Sequence, residues 1–346
     1  MTKQLTVAVV GATGAVGTKM MEKLIERKFP IGHIKFLASA RSAGKPIEFN
    51  GHTYTIEEAT PESFEGVNVA LFSAGGSVSE ALAPEAAKRG AIVIDNTSHF
   101  RMDPEVPLVV PEVNRHALKD IPKGIIANPN CSTIQMVAAL QPIREKFGLT
   151  KVVVSTYQAV SGSGIAAIEE LKAQSAEWEK GKNVEAHILP AKADKKHYPI
   201  ARNVIPQIDK FTDNGYTYEE MKMINETKKI MELPELHVAA TCVRVPVVSG
   251  HSESVYIEVE QEATVQDIFN VLKDAPGVTL QDDITTQQYP MPIFAEGEDA
   301  TFVGRIRQDL DNKKGFHLWI VSDNLLKGAA LNSIQIAEAM LEDHLI

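Results

Sequence analysis

Short, wholly apolar runs alternate with longer segments of helical or polar character through the first third of the chain. Residues 7–10 (Val-Ala-Val-Val) form an apolar β-type run, and the pattern after Gly17 predicts a helix through Arg27. A second strand is predicted at residues 34–38, with further runs at 67–72, 91–94, 108–110 and 125–127, each separated by helical or loop sequence. That alternation predicts a mostly parallel, doubly wound sheet. From Ser132 onward a helix leads into a β stretch at 151–160 and a helix over about 165–180. Residues 181–216 are rich in Pro, Lys, Asp, Gly and Asn and show no period, so a long excursion is expected there, covering a site or a subunit interface. Thr217-Tyr218-Glu219-Glu220 is a capping-box pattern opening a helix over 219–231. Strand-like stretches at 237–248, 254–259 and 316–321, with a helix near 265–273, predict a second, largely antiparallel sheet with helices on one face. The segment from Asp323 opens a C-terminal helix with an apolar stripe, expected to pack back on the first domain.

Length and charge narrow the reading. At 346 residues the chain exceeds what one core usually organises, so two domains are expected. Two cysteines, Cys131 and Cys242, make a disulfide framework improbable and fit a reducing compartment. The first residues run into a strand without a signal-peptide pattern, and no apolar stretch approaches the roughly 20 residues of a membrane span. A cytoplasmic protein is therefore expected. A formal charge of −10 argues against nucleic acid or an anionic membrane as the main partner, while leaving room for local cationic pockets. No metal site is expected.

The chemistry concentrates at turns that follow strands. Gly11-Ala12-Thr13-Gly14-Ala15-Val16-Gly17 joins the first strand to the first helix, so that glycines admit a pyrophosphate to the backbone and the helix N-terminus supplies N–H donors. The spacing is G-x-x-G-x-x-G, moderately specific on its own. After the second strand, Ser39, Arg41 and Ser42 stand where an NAD site usually carries an acid. Hydroxyls and a guanidinium would bind a 2′-phosphate, which points to NADP; a solvated basic loop is the plain alternative. Ser73-Ala74-Gly75-Gly76-Ser77 offers a second close approach, and the loop from Asp95 to Arg101 brings one arginine to the same sheet edge.

Ala127-Asn128-Pro129-Asn130-Cys131-Ser132 places Cys131 where a helical pattern starts, which favours thiolate and could receive an oxyanion. Gln158 ends a strand just before a glycine turn and suits orienting an acyl group, although a structural Gln reads similarly. Glu219 and Lys222 are neighbours on one helix face, able to meet a zwitterionic or phosphate-bearing ligand or simply each other. Arg244 is a cation within an apolar strand and therefore calls for an anionic partner, such as a substrate carboxylate. His251, in a Gly-containing turn, suits proton transfer. Cys242 reads as a core filler.

Taken together, these motifs resemble the aspartate-β-semialdehyde dehydrogenases over essentially the whole chain. They are GATGAVG at 11–17, SARSAGK at 39–45, SHFRMD at 98–103, NPNCST at 128–133, YQAVSGSG at 157–164, EEMKMINETKKI at 219–230, RVPVVSGHSE at 244–253 and DNLLKGAA at 323–330. The resemblance implies an α/β, Rossmann-type NADP-binding domain (1–130 and 324–346). With it goes an α+β catalytic and dimerisation domain (131–323), mostly antiparallel and glyceraldehyde-3-phosphate-dehydrogenase-like. It implies reversible NADPH-dependent reductive dephosphorylation of L-aspartyl-4-phosphate to L-aspartate 4-semialdehyde and inorganic phosphate, on the route to lysine, methionine and threonine, by a homodimer or homotetramer. Cys131 would form a thioacyl enzyme, Gln158 orient it, and His251 act as acid and base. Arg244 would bind the α-carboxylate and Glu219 the amino group, with Lys222, Arg101 and Asn130 on the phosphate. Gly11, Thr13, Gly14, Ala15, Val16, Ser39, Arg41, Ser42, Ser73, Ser161, Gly162 and Asn324 would hold the cofactor, Asn324 near the nicotinamide. Two alternatives are an N-acetyl-γ-glutamyl-phosphate reductase, with little need for Glu219, and a catalytically silent NADP-binding sensor.

Overall fold

A computed structural model describes residues 4–346. The chain divides into two compact units, Met1–Asn130 with Ala329–Ile346, and Cys131–Gly328. In the first, β1 (Leu5–Val10) turns into α1 (Ala15–Glu26), followed by β2 (Ile31–Ala38), a hairpin of β3 (Pro46–Phe49) and β4 (His52–Thr55), and the short β5 (Glu57–Glu58). Then come β6 (Val69–Phe72), α2 (Gly76–Lys88), β7 (Ile92–Asp95), α3 (Pro111–Asn114) and β8 (Ile125–Ala127). The sheet runs β5-β2-β1-β6-β7-β8 with every pairing parallel. Val7, Val9 and all of β6 are buried, because helices cover both faces of such a sheet and leave no polar alternation. The C-terminal helix, Leu331–Glu342, buries Ile334, Ile336 and Met340 in the same core as Met20 and Leu24 of α1, so the expected return to this domain is met.

One expected strand is absent. Of residues 108–110, Leu108 makes a single parallel bridge to Ala127 and no ladder follows. Pro107 and Pro111 flank the segment and have no N–H to give. Asn114 takes over the remaining backbone groups, its Oδ1 accepting from Val110 N (3.0 Å) and its Nδ2 donating to Leu108 O (2.9 Å). The β3–β4 hairpin was not anticipated; Asn50 and Gly51 close it at φ +49° and +78°, the positive values of a tight two-residue hairpin turn.

The second unit opens with α4 (Cys131–Phe147), which starts at the cysteine itself. It continues through β9 (Lys151–Gln158), α5 (Ile165–Glu179), α6 (Tyr218–Ile230), β10 (His237–Arg244), β11 (His251–Glu258), α7 (Val265–Lys273), β12 (Val278–Leu280), α8 (Pro292–Ala295), β13 (Thr301–Gln308) and β14 (Gly315–Ser322). The sheet order is β10-β9-β11-β14-β13-β12. Its three central pairings are antiparallel and its two outer ones, β10 with β9 and β12 with β13, are parallel, so the sheet is mixed. On β9, Val152, Val154, Thr156 and Gln158 are buried while Val153 and Tyr157 are exposed: one face meets helices and the other stays open. β10 stops at Arg244, short of the expected residue 248, because Pro246 follows and offers no N–H. The excursion over 181–216 contains no helix or ladder, touching strands through bridges such as Ile205 to Arg244. Among the described residues no helix is long and apolar enough to cross a membrane.

Candidate active site

In the first unit, β1 is flanked by β2 and β6, so the strand order changes direction there and the carboxyl ends leave a crevice, the usual ligand position of an open α/β sheet. Gly11 stands at φ +85°, and a Cβ on it would come within 2.9 Å of Ala74 N and 3.0 Å of Ser73 Oγ. A Cβ on Gly17 would meet Ala12 Cα at 2.9 Å. These two positions keep the turn flat and α1 close to the sheet. Gly14 caps α1 without a side-chain bond, leaving its first-turn amides to be met from outside. The resulting cleft of about 640 Å³ includes Gly11, Thr13, Gly14, Ser39, Arg41, Ser42 and Ser73 in its lining; Ala15 and Val16 form the first turn of α1. Glu58 also lines it, an acid the sequence reading passed over because it arrives by the β5–β2 pairing rather than by proximity along the chain.

Arg101 is buried, its Nε donating to Asn128 O at 2.9 Å and its Nη2 to Asn96 O at 2.8 Å. Asn128 is itself held by Asn96 (2.8 Å) and Asn332 (2.7 Å). Arg101 is thus a fixed cation of this unit, not a solvated side chain; Asn130, also buried, closes the same unit.

In the second unit, one face of β10, β9 and β11 gathers Arg244, Gln158 and His251. The Arg244–Gln158 pair faces across the parallel ladder. Gln158 is oriented twice: Oε1 accepts from Thr156 Oγ1 at 3.0 Å and Nε2 donates to Glu219 Oε1 at 3.1 Å. Glu219 Oε2 accepts from Lys222 Nζ at 3.1 Å, and Lys222 also reaches Asp209 Oδ2 at 3.2 Å. The α6 capping box is formed as expected, Thr217 and Glu220 exchanging bonds of 2.8 and 3.2 Å, and it sets the register that puts Glu219 and Lys222 side by side. Arg244 is 4% exposed and gives Nη1 to Ala159 O at 2.7 Å, while its Nε has no partner. A buried guanidinium with an unmet donor is costly unless an anion completes it.

His251 is fully buried, and its Nδ1 lies 3.0 Å from Ala159 N. A backbone N–H can only donate, so Nδ1 is the bare nitrogen and the neutral ring carries its proton on Nε2. Gln158 Nε2, 3.4 Å from that atom, is also a donor, so this approach marks proximity rather than a bond. A Cβ on Gly162 would stand 3.1 Å from Arg244 Nη1 and 3.3 Å from His251 Nε2. Gly162 therefore keeps open the space that both donors face. Ser161 and Asn324 are tied together, Asn324 Nδ2 donating to Ser161 Oγ at 3.0 Å and Gly250 N donating to Asn324 Oδ1 at 3.0 Å. Cys131 is partly exposed, and Gly328 is packed against it so tightly that a Cβ there would lie 2.7 Å from Cys131 Cβ.

Electrostatics follow from burial. Desolvation pulls the Arg244 guanidinium below its ordinary value, while Glu219 and then Cys131 restore part of its charge preference. Burial, then the Arg244 charge, lowers His251 to about 3 against the opposing pull of Glu219, so the ring is neutral near pH 7. Burial pushes the Cys242 thiol far up, with Glu219 adding to it, which fits the expected inert filler. Thr156, Asp209 and Gly328 were missed. Thr156 was legible as the same-face neighbour of Gln158 two residues back; Asp209 and Gly328 reach the site through tertiary packing alone.

Comparison with known proteins identifies the family. Residues 6–121 match the family model for the semialdehyde dehydrogenase NAD-binding domain, and residues 140–327 match that for the semialdehyde dehydrogenase dimerisation domain. The chain is 65% identical over 347 residues to the aspartate-semialdehyde dehydrogenase of Bacillus subtilis, covering 100% of both chains. Among solved structures it is similar to aspartate semialdehyde dehydrogenase II of Vibrio cholerae complexed with ASA, with a TM-score of 0.93, 46% identity and 99% coverage of each chain. It is also similar to the Candida albicans enzyme with NADP, with a TM-score of 0.78, 25% identity and coverage of 99% of this chain and 100% of that one. A buried cation, amide and imidazole grouped near a helix-start thiol, a glycine-turn cleft, and full-length identity of this order have one common reading: the chain belongs to the aspartate-semialdehyde dehydrogenase family.

Proposed function

We propose that this chain catalyses the reversible, NADPH-dependent reductive dephosphorylation of L-aspartyl-4-phosphate to L-aspartate 4-semialdehyde and inorganic phosphate, in the biosynthesis of lysine, methionine and threonine. The observation that carries this reading is Arg244: a buried guanidinium, with an unpartnered Nε, whose charge is favoured electrostatically by Glu219 and Cys131. A substrate α-carboxylate supplies the missing acceptor, and Glu219 accepts from the α-amino group, a pairing an N-acetylated substrate would not use. The free-amine substrate is therefore favoured over N-acetyl-γ-glutamyl phosphate.

Cys131 attacks the acyl phosphate, and a thioacyl enzyme separates phosphate loss from reduction, dividing one difficult step into two. Lys222, Arg101 and Asn130 bind the phosphate. Gln158, held from two sides, orients the acyl group. His251 presents Nε2–H to the acyl oxygen and stabilises the charge that develops there. With Nδ1 held by Ala159 N–H, that hydrogen bond is the role the resting geometry supports, and acid–base exchange at the ring follows only once Nδ1 is released. The cofactor fits the glycine turn, whose cradle a Cβ would fill, with Ser39, Arg41 and Ser42 for a 2′-phosphate; the family resemblance assigns Ser161, Gly162 and Asn324 to it as well. When bound, NADPH supplies hydride to the acyl carbon. The cofactor domain comprises residues 1–130 and 324–346, and the catalytic and dimerisation domain residues 131–323. The protein works in the cytoplasm as a homodimer or homotetramer.

The test is absorbance of NADPH formed from L-aspartate semialdehyde and NADP, with and without phosphate, beside NAD and N-acetylglutamate semialdehyde. Phosphate-dependent turnover of the free-amine substrate with NADP is expected. Turnover of the acylated substrate alone would reassign the enzyme.

A further inference from the structure

Glu253 lies two residues beyond His251 on β11 and is wholly buried, with neither carboxylate oxygen hydrogen-bonded. The Gln135 side chain of α4 lies beside it. Gln135 is also fully buried; its Nε2 donates to the backbone oxygen of His251 at 3.3 Å, and its Oε1 is likewise unmatched. Two carboxylate oxygens and one amide oxygen are thus buried without a donor. An ionised carboxylate would add a charge to that set and no donor, whereas a protonated one supplies the hydrogen that Gln135 Oε1 lacks. We propose that Glu253 is a neutral carboxylic acid whose O–H donates to Gln135 Oε1, fixing the amide that holds the His251 backbone, and so acts as a positioning residue for that histidine. The positioning half rests on the role proposed above for His251.

Desolvation raises the Glu253 carboxyl well above its ordinary value, and the amide N–H that Gln135 can offer an ionised carboxylate offsets only part of it. Of the other titratable groups on this face, the buried Cys242 thiol of β10 feels Glu219 and Glu220 of α6 together with Glu253, His251 is neutral near pH 7, and the Arg244 guanidinium acts on His251 but is not among the causes that shift Glu253. None of them offsets the burial of Glu253 with a positive charge that would favour its ionisation. The chain of contacts is short and directional: Glu253 to Gln135, Gln135 to the His251 carbonyl, and His251 Nδ1 to Ala159 N. Losing its first link frees the amide to turn and lets the imidazole drift from the oxygen it serves, without touching the groups that bind substrate.

The full-length protein tests this by two independent readouts. Infrared difference spectra between wild type and Glu253→Gln at neutral pH should show loss of a protonated-acid carbonyl band that shifts in D₂O. Kinetically, Glu253→Gln keeps a donor and should stay within about twofold of wild type, while Glu253→Leu and Gln135→Leu should each lower kcat roughly 10-fold with little change in KM, the scale of one lost hydrogen bond. Stability supplies the sign. A group protonated in the folded state stabilises fully below its unfolded value near pH 4.5, and that contribution is lost as pH rises toward its folded value. Glu253→Gln should therefore gain Tm relative to wild type progressively above about pH 4.5. Carboxylate bands in place of the acid band, or Glu253→Gln as slow as Glu253→Leu, would overturn the proposal. So would an unchanged kcat in folded Glu253→Leu. A protein inactive on aspartate semialdehyde would sink the functional reading instead, leaving the infrared and Tm results to judge the protonation state.

Discussion

Single side chains in the second unit act through what they leave open as much as through what they touch. Gly162 leaves space in front of Arg244 Nη1 and His251 Nε2, so Gly162→Ala should fold normally yet lose about 10-fold or more in kcat/KM, read by steady-state kinetics beside a thermal melt. Arg244→Lys keeps a positive charge and discards the planar fork; KM for the semialdehyde should rise roughly 10- to 100-fold with a smaller change in kcat. Cys131→Ser should remove turnover by about 10³-fold or more while NADPH binding by fluorescence is unchanged, an outcome a silent sensor would not produce. For His251 the pH sign is opposite to that of Glu253. Its folded value near 3 lies below the ordinary 6.5, so the unfolded chain takes up a proton first and stability falls as pH drops from about 6.5 toward 3. His251→Gln should flatten that part of the Tm–pH curve.

Elements contribute register and close approach. A single π turn, Leu326–Ala330, carries Gly328 against the cysteine at the head of α4; such turns are rare and frequent at functional sites, and the glycine's missing Cβ permits the approach. Gly328→Ala must displace Cys131, costing about 1–3 kcal/mol and slowing iodoacetamide labelling of Cys131, with buried Cys242 silent in both proteins. At the other unit's turn, Gly11 has no space for a Cβ, so Gly11→Ala should weaken NADP binding in calorimetry more than it lowers Tm. Much of this was legible beforehand. The β1–glycine–α1 turn, the α6 capping box and the helix-start cysteine each depend on a few consecutive residues, and local chemistry decides such features. Residues 108–110 were misread because apolar character was weighed without the prolines on either side. The β3–β4 hairpin was missed although Asn50-Gly51 announces it. The edge strand β12 and its neighbour β13 had weaker signals, since their partners are set by tertiary pairing.

Across the whole molecule, the same distinction separates what sequence carries from what the fold supplies. Arg244 declared itself as a cation in an apolar strand, and Glu219 and Lys222 by their spacing, but Asp209 is brought to Lys222 from a stretch with no period at all. Glu58 enters the cofactor cleft by strand pairing, and Glu58→Gln should shift preference further toward NADP by removing a negative charge near a 2′-phosphate, measured as the ratio of kcat/KM for the two cofactors. The chain passes out of the first unit at Asn130 and returns to it at Ala329, and the residues just inside these crossings, Cys131 and Gly328, touch each other. For recombination between homologous enzymes this sets the cutting rule. A graft of 131–328 carries nucleophile and backing glycine from one parent, whereas a crossover anywhere between them splits a matched pair, and chimeras should lose activity according to where the break falls rather than how many residues differ.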